Sequence, residues 1–333
     1  MSNMDNQPIA VLGVGSWGYA LALVLADNHV PVRLWGHRIE SMRALFSTRE
    51  NKYLPGFPLP DTVEICYTLD DALRDVAGIL IVVPSDALIP LLEKIKPNAQ
   101  IPIAWGTKGL GNDAELLSSQ AAQILGKQAK LCVISGPSFA KEVVQKQPTA
   151  VTAASADDSA YFWQKQLHND YFRVYTSTDI IGAQLGGAFK NVLAIAVGIA
   201  EGLGLGSNAR AALMTRGFAE LLRLGRALNA QDDTLMGLSG IGDLILTCSE
   251  NQSRNRRFGL GLGQGKNAQD LKREIGQVVE GEHTAKLVYQ LAQRLKINMP
   301  ITEQMYQILY EGKDAKSAVK ALLERAPTDE FSG

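Results

Sequence analysis

Ile9-Ala10-Val11-Leu12-Gly13-Val14-Gly15-Ser16-Trp17-Gly18, near the start of the chain, is the stretch on which the fold turns. Its first half is continuously apolar, as expected of a strand in a parallel sheet covered on both faces. Its second half spaces glycine as GxGxxG, and the helical pattern Tyr19 to Ala26 follows at once. Three glycines at this spacing carry little weight alone; between a strand and a helix they acquire a mechanical meaning. Gly13 permits the tight turn, Gly15 lets the backbone approach a pyrophosphate, and Gly18 lets helix and strand pack closely. The helix N-terminus then offers free N–H groups to the anion. A glycine turn without a ligand is the weaker alternative in that setting.

Working outward, the same alternation repeats. Val32 to Gly36, Val63 to Tyr67, Gly78 to Val83, Ile101 to Trp105 and Leu131 to Ile134 read as further strands, and Ala150 to Ala154 and Phe172 to Tyr175 as two shorter ones. The fold class is therefore α/β. A Rossmann-like doubly wound sheet is expected over residues 1–179 and a mostly helical domain over residues 180–333. A length of 333 residues also favours two cores over one. In open α/β sheets ligands bind outside the carboxyl ends of the strands. Small-residue turns stand at those ends: Pro84-Ser85, Gly106-Thr107-Lys108-Gly109 and Ser135-Gly136-Pro137-Ser138. Lys108, in a glycine-flanked loop, is a candidate cation for a substrate oxygen, or simply a solvated lysine. An NAD-selective site usually carries an acid after the second strand. Gly36-His37-Arg38 stands there instead, so no carboxylate repels a 2′-phosphate and Arg38 could pair with one. NADPH, or both cofactors, is favoured unless Arg38 is only a solvated charge at the next helix.

Beyond Ile180 the pattern is helical, with helices expected over 184–200, 209–228, 269–274, 284–295, 302–310 and 315–324. Gly202 to Gly206 and Gly259 to Gly265 imitate a dinucleotide loop, but neither follows a strand, so neither is a second cofactor site. The first of these helices carries Gln184-Leu185-Gly186-Gly187-Ala188-Phe189-Lys190-Asn191 and is apolar almost all round, as a buried helix is. Lys190 is the exception. Helical side chains lean toward the N-terminus, which places Lys190 over the bare backbone of Gly186 and Gly187. Apolar surroundings lower a lysine's pKa and would let it exchange protons near neutrality. The competing reading is a lysine that snorkels to the surface. Further on, Gly240-Ile241-Gly242-Asp243 and Asn251-Gln252-Ser253-Arg254-Asn255-Arg256-Arg257 stand out. Three arginines in four positions suggest a phosphate cradle, since Arg offers a planar donor fork. A solvated face or a nucleic-acid patch is the alternative.

Composition narrows the classes. Lys and Arg total 33 against 34 Asp and Glu, which gives no electrostatic case for nucleic acid or an anionic membrane. Met1 to Pro8 lacks the features of a signal peptide, and no uninterrupted apolar run approaches the roughly 20 residues of a membrane helix. Cys66, Cys132 and Cys248 form no CxxC pair, and His29, His37, His168 and His283 have no metal-ligand spacing. No metal is expected, and a cytoplasmic location fits the cysteine usage.

Together these stretches resemble the bacterial NAD(P)-dependent sn-glycerol-3-phosphate dehydrogenases. The matching pieces are Gly13 to Gly18, Thr107-Lys108-Gly109, Ser135 to Ala140, Leu185 to Asn191, Asn251 to Arg257 and Gly276 to Gly281, in the family's order over almost the whole chain. The resemblance implies interconversion of dihydroxyacetone phosphate and sn-glycerol 3-phosphate, the backbone of phospholipids. It implies that Ser16, Trp17, His37, Arg38, Lys108, Ala140, Arg254, Val278 and Glu280 touch the cofactor. Lys108, Gly136, Ser138, Lys190, Asp243, Ser253, Arg254 and Asn255 would hold substrate. On this reading Lys190 supplies the proton and Lys108 stabilises the oxyanion, while Arg254 and Asn255 grip the phosphate and Asp243 aligns the lysines. The chain is compatible with assembly as a homodimer. A β-hydroxyacid dehydrogenase or ketopantoate-type reductase is the rival enzyme, and a non-catalytic NAD(P)H sensor the rival from another class. The Ser253–Arg257 cluster argues for a phosphorylated substrate against the first, and a sensor has no need of Lys108, Lys190 and the arginine cluster together.

Overall fold

Each short apolar run bounded by turn residues becomes a strand: β1 (Ile9–Leu12), β2 (Val32–Trp35), β3 (Val63–Cys66) and β4 (Gly78–Ile81). β5 (Ile103–Trp105), β6 (Leu131–Ser135), β7 (Thr149–Ala154) and β8 (Phe172–Ser177) complete the set. The computed structural model describes residues 7–98, 100–327 and 329–330. All eight strands join one sheet in the order β3-β2-β1-β4-β5-β6-β7-β8. β1 lies between β2 and β4, with Val11 opposite both Leu34 and Leu80. The strand order reverses there, so the turn after β1 sits at the topological switch point, where open sheets of this type take their ligands. β1 and β4 are buried along their whole length, which explains their unbroken apolar sequence.

The sheet is not parallel throughout: β6 and β7 run antiparallel, and β7 and β8 return to parallel. The connections to this sheet are helices α1 (Ser16–Asp27), α2 (Ile39–Thr48), α3 (Leu69–Leu73) and α4 (Ser85–Ile95). α5 (Leu117–Leu125), α6 (Ala140–Val144) and α7 (Ser159–Leu167) follow. α6, between β6 and β7, has only five residues. A parallel crossover usually lays a full helix on the sheet, and the β6–β7 connection holds only this short one.

The remaining helices form the second unit: α8 (Ile180–Gly202), α9 (Ser207–Ala227), α10 (Asp232–Met236), α11 (Asp243–Ser249) and α12 (Arg254–Gly263). α13 (Ala268–Ile275), α14 (Glu280–Leu295), α15 (Pro300–Tyr310) and α16 (Ala315–Leu323) end it. The chain divides into two compact units, Met1–Thr107 with Leu117–Ile180, and Lys108–Leu116 with Ile181–Gly333. The short segment that begins at Lys108 thus packs with the helices and not with the sheet.

α8 is the axis of this second unit, and every residue from Gly182 to Ala200 is buried. It is long and apolar enough to cross a membrane by length and composition, although it lies within this helical core. α12 approaches it at backbone contact. A Cβ at Gly198 would lie 2.1 Å from the Arg256 carbonyl oxygen, and one at Gly259 would lie 2.1 Å from that of Ile195. One turn further on, Gly202 meets the Leu260 carbonyl and Gly263 that of Ile199, each at 2.3 Å from the Cβ that is missing. Gly202, Gly259 and Gly263, within the runs that imitate a dinucleotide loop, therefore serve to seat two helices on each other.

Candidate active site

The lysine of α8 is buried, at 8 % exposure, and it does not snorkel. Its ammonium meets Asp243, which begins α11 and is 0 % exposed. The other carboxylate oxygen, Oδ2, lies 2.6 Å from Lys108 Nζ. One carboxylate thus bridges two ammonium groups that are far apart in sequence. Asp243 is placed favourably, since a negative charge at a helix N-terminus is stabilised by the helix dipole. Thr247, four residues on, donates to the Asp243 carbonyl at 2.6 Å and approaches Oδ1 at 3.4 Å. The approach of Asp243 to α8 depends on Gly186. Leu238–Gly242 forms a single π-helical turn ahead of α11, and a Cβ at Gly186 would lie 2.2 Å from the Ser239 carbonyl oxygen. Such π turns are rare and often occur at functional sites.

Burial drives the Lys190 ammonium from its ordinary 10.5 down to about 7; the Asp243 carboxylate opposes this and the like charge on Lys108 reinforces it. A lysine held near neutrality can give or accept a proton under ordinary conditions. Lys108 remains 18 % exposed at its side chain, so the cluster has an open end.

Asn191 continues the polar stretch of α8. Its Oδ1 accepts from Asn255 Nδ2 at 2.9 Å, and Asn255 Oδ1 accepts from the Gly281 N–H at 2.9 Å. Asn255 is buried and so oriented from both sides. Ser253 caps α12, its Oγ accepting from the Arg256 N–H at 3.2 Å. Arg254 opens the helix, and its Nη1 donates to the Val278 carbonyl at 3.1 Å. Val278 is exposed and Glu280 begins α14, so this stretch lies beside Arg254. The three arginines expected to form a cradle divide among different surroundings. Arg256 turns to Glu201, with Nη2 and Oε2 2.7 Å apart, and Arg257 is exposed. Only Arg254 of the three stays with Asn255 in this group.

In the sheet unit the glycine turn has the form the motif requires. Gly13 has φ +126°, and a Cβ there would lie 2.3 Å from the Val82 carbonyl oxygen, so only glycine fits. At Gly15 a Cβ would meet nothing within 4 Å, and no side chain caps α1. Open space beside uncapped helix N–H groups is what a dinucleotide's phosphates need, so these residues fit an NAD(P) cofactor. Trp17 follows Ser16 on the first turn of α1 and packs on Gly106. His37 and Arg38 are exposed at the carboxyl end of β2, with Arg38 at the N-cap of α2 and Glu40 inside its first turn. Gly136, Ser138 and Ala140 follow β6, and Ser138 Oγ donates to the Gly136 carbonyl at 3.0 Å.

Two side chains of the singled-out stretches, Asn191 and Thr247, are given no role by the sequence but join this network. Asn191 is the polar side chain next to Lys190 on an apolar helix, and Thr247 stands four residues after Asp243, on the same face of α11. Either spacing, applied to the residues already singled out, would have found them.

A family model described as the NAD-dependent glycerol-3-phosphate dehydrogenase N-terminus matches residues 8–161, and one described as its C-terminus matches residues 179–320. The chain is 51 % identical to the glycerol-3-phosphate dehydrogenase [NAD(P)+] of Actinobacillus pleuropneumoniae serotype 3 over 98 % of both chains. It is equally similar to the protein of that name from Haemophilus ducreyi, with 51 % identity and the same coverage. The crystal structure of glycerol-3-phosphate dehydrogenase from Coxiella burnetii superposes with a TM-score of 0.93 and 47 % identity, over 96 % of this chain and 99 % of that one.

Proposed function

The chain belongs to the NAD-dependent glycerol-3-phosphate dehydrogenase family, and from that membership we propose that it reduces dihydroxyacetone phosphate to sn-glycerol 3-phosphate, reversibly, with NADPH or NADH. The product is the backbone of glycerophospholipids. The observation that carries the reading is the Lys108–Asp243–Lys190 bridge, with Asn191 next along α8 holding the Asn255 that follows Arg254. A proton donor for one end of a substrate and an anion grip for the other are built on the same helical unit.

Bound at the glycine turn, the cofactor supplies the hydride that the carbonyl carbon receives. The residues of the chain do the rest. As negative charge grows on the carbonyl oxygen, Lys108 stabilises it and Lys190 delivers the proton that makes the hydroxyl. Asp243 holds both ammonium groups on one carboxylate. Arg254 and Asn255 bind the phosphate, so that remote binding energy orients the ketone. Gly13, Gly15 and Gly18 shape the pyrophosphate turn, flanked by Ser16 and Trp17, and His37 with Arg38 receives the adenosine end. Residues 1–179 then act as the cofactor domain and residues 180–333, joined by the Lys108 loop, as the substrate domain. Buried free thiols at Cys66, Cys132 and Cys248 suit a cytoplasmic location. Exposed Met236 and Ile245 offer apolar surface for a homodimer.

The test is oxidation of NADPH and NADH with dihydroxyacetone phosphate, set against ketopantoate and a simple 3-oxo acid. Turnover confined to the phosphorylated ketone is the expected result. Turnover of ketopantoate instead, or cofactor binding with no turnover at all, would overturn the reading.

A further inference from the structure

We propose that Arg256 is a positioning residue and not a phosphate ligand: with Glu201 and Asn251 it ties the start of α12 to the end of α8 and holds Ser253–Asn255 in place to receive the substrate's phosphate. The inference rests on the phosphorylated substrate proposed above. Arg256 Nη2 lies 2.7 Å from Glu201 Oε2, and the two side chains are only 13 % and 14 % exposed. Arg256 Nη1 donates to Asn251 Oδ1 at 2.6 Å, which draws in the loop ahead of the helix. Arg210 from the first turn of α9 donates to Glu201 Oε1 at 3.1 Å and completes the knot. The backbone is held at the same place, since the Arg256 carbonyl lies against Gly198, one turn before Glu201 on α8.

Each charge of the pair is badly placed for its own helix. Glu201 stands in the last turn of α8, where the helix dipole disfavours an anion, and Arg256 in the first turn of α12, where it disfavours a cation. Brought together they neutralise each other across the junction of the two helices. A carboxylate against the guanidinium also makes Arg256 a poor partner for a phosphate dianion. Arg254, two residues earlier, turns elsewhere, its Nη1 donating to the Val278 carbonyl at 3.1 Å.

The experiment compares Glu201→Gln, Arg256→Lys, Arg256→Ala and the Glu201→Gln/Arg256→Ala double variant. KM and kcat are measured with dihydroxyacetone phosphate and with dihydroxyacetone, and NADPH binding and thermal melting check the fold. Positioning predicts that Glu201→Gln raises KM for dihydroxyacetone phosphate several-fold. Arg256→Ala should raise it about tenfold or more, and the double variant no further than the worse single one. kcat/KM for dihydroxyacetone should stay near wild type, and Arg256→Lys should recover part of the loss. A general folding defect would instead lower both substrates and the melting temperature together, which overturns the proposal. So does a Glu201→Gln variant with unchanged or lower KM, because a phosphate ligand freed of its carboxylate should bind phosphate as well or better. A wild-type chain inert toward dihydroxyacetone phosphate overturns the functional reading itself, and this inference with it.

Discussion

Replacing Lys190 by Met removes the exchangeable proton while keeping a long apolar side chain in a site that is 8 % exposed. The change leaves Asp243 without one of its two cations but not orphaned. Lys108 Nζ stays 2.6 Å from Oδ2, and the Thr247 hydroxyl stays beside the same carboxylate. Breaking a buried pair costs about 3–5 kcal/mol when it strands a charge. Here a counter-ion persists, so melting of the variant should stay close to wild type near pH 7. Catalysis should not. General acid catalysis contributes about 10²–10⁴-fold, equivalent to about 3–5 kcal/mol on the barrier, and kcat should fall by that order while NADPH still binds.

The pH dependence sharpens the test. Ketone reduction requires the protonated lysine, so wild-type kcat should decline as pH rises through about 7, and glycerol 3-phosphate oxidation should climb over the same range. Stability carries a second signature. Between about 7 and 10.5 the unfolded chain keeps a proton that folded Lys190 has lost, so wild-type stability rises with pH across that window. Lys190→Met lacks this rise, and its melting temperature should gain less than wild type's on going alkaline. Steady-state NADPH oxidation on either side of pH 7, with melting curves at each pH, reads out both effects. A folded variant with near wild-type kcat and the same pH profile would refute the reasoning and leave Lys108 as the proton donor.

Three further outcomes follow from the geometry. Arg254→Ala should lose about 1.5–3 kcal/mol of kcat/KM with dihydroxyacetone phosphate, the range for a hydrogen bond to a charged group. The loss should be smaller with dihydroxyacetone, and an equal loss on both substrates would point to cofactor binding or folding. Arg38→Asp should shift the NADPH/NADH ratio of kcat/KM toward NADH, because a carboxylate at the α2 N-cap repels a 2′-phosphate; an unchanged ratio removes Arg38 from cofactor selection. Gly186→Ala should lower both the melting temperature and kcat. Alanine favours a helix by about 1 kcal/mol, but its Cβ would lie 2.2 Å from a backbone oxygen, and overpacking costs about 1–3 kcal/mol. A melting temperature that rises would show that the Ser239 turn yields freely.

β1, β4, β5 and β6 were legible as short apolar runs, because burial on both faces leaves nothing else to encode, while β2 and β8 alternate buried and more open positions. The antiparallel turn of β7 was not legible, since its residues Thr149–Ala154 carry no mark of direction. The lysine of α8 stood out against its apolar neighbours, whereas its tie to Asp243 came only through the resemblance, because the two lie 53 positions apart. α10 to α12 were missed for a physical reason. Arg254–Gly263 holds three glycines, Gly259, Gly261 and Gly263, in a helix of ten residues, a composition that helix propensity counts against. Only the surface of α8, a tertiary partner, makes glycine the fitting residue there. The sorting of Arg254 from Arg256 likewise depends on Glu201, more than fifty positions earlier, which no local pattern could assign.

The interlock of Gly198 and Gly202 with Gly259 and Gly263 has a consequence for when order is acquired. With backbone against backbone there is no flexible side chain between the helices to absorb a shift. A slip of one helix along the other would have to cover four residues, about 6 Å, before bare positions met again. Lys190 and Asn191 on one helix and Arg254 and Asn255 on the other are therefore parts of one rigid body. Bringing a proton donor and an anion grip to a fixed separation normally demands loss of conformational freedom as the ligand arrives. Here that freedom is surrendered once, as the chain folds, and it does not have to be surrendered again at each turnover.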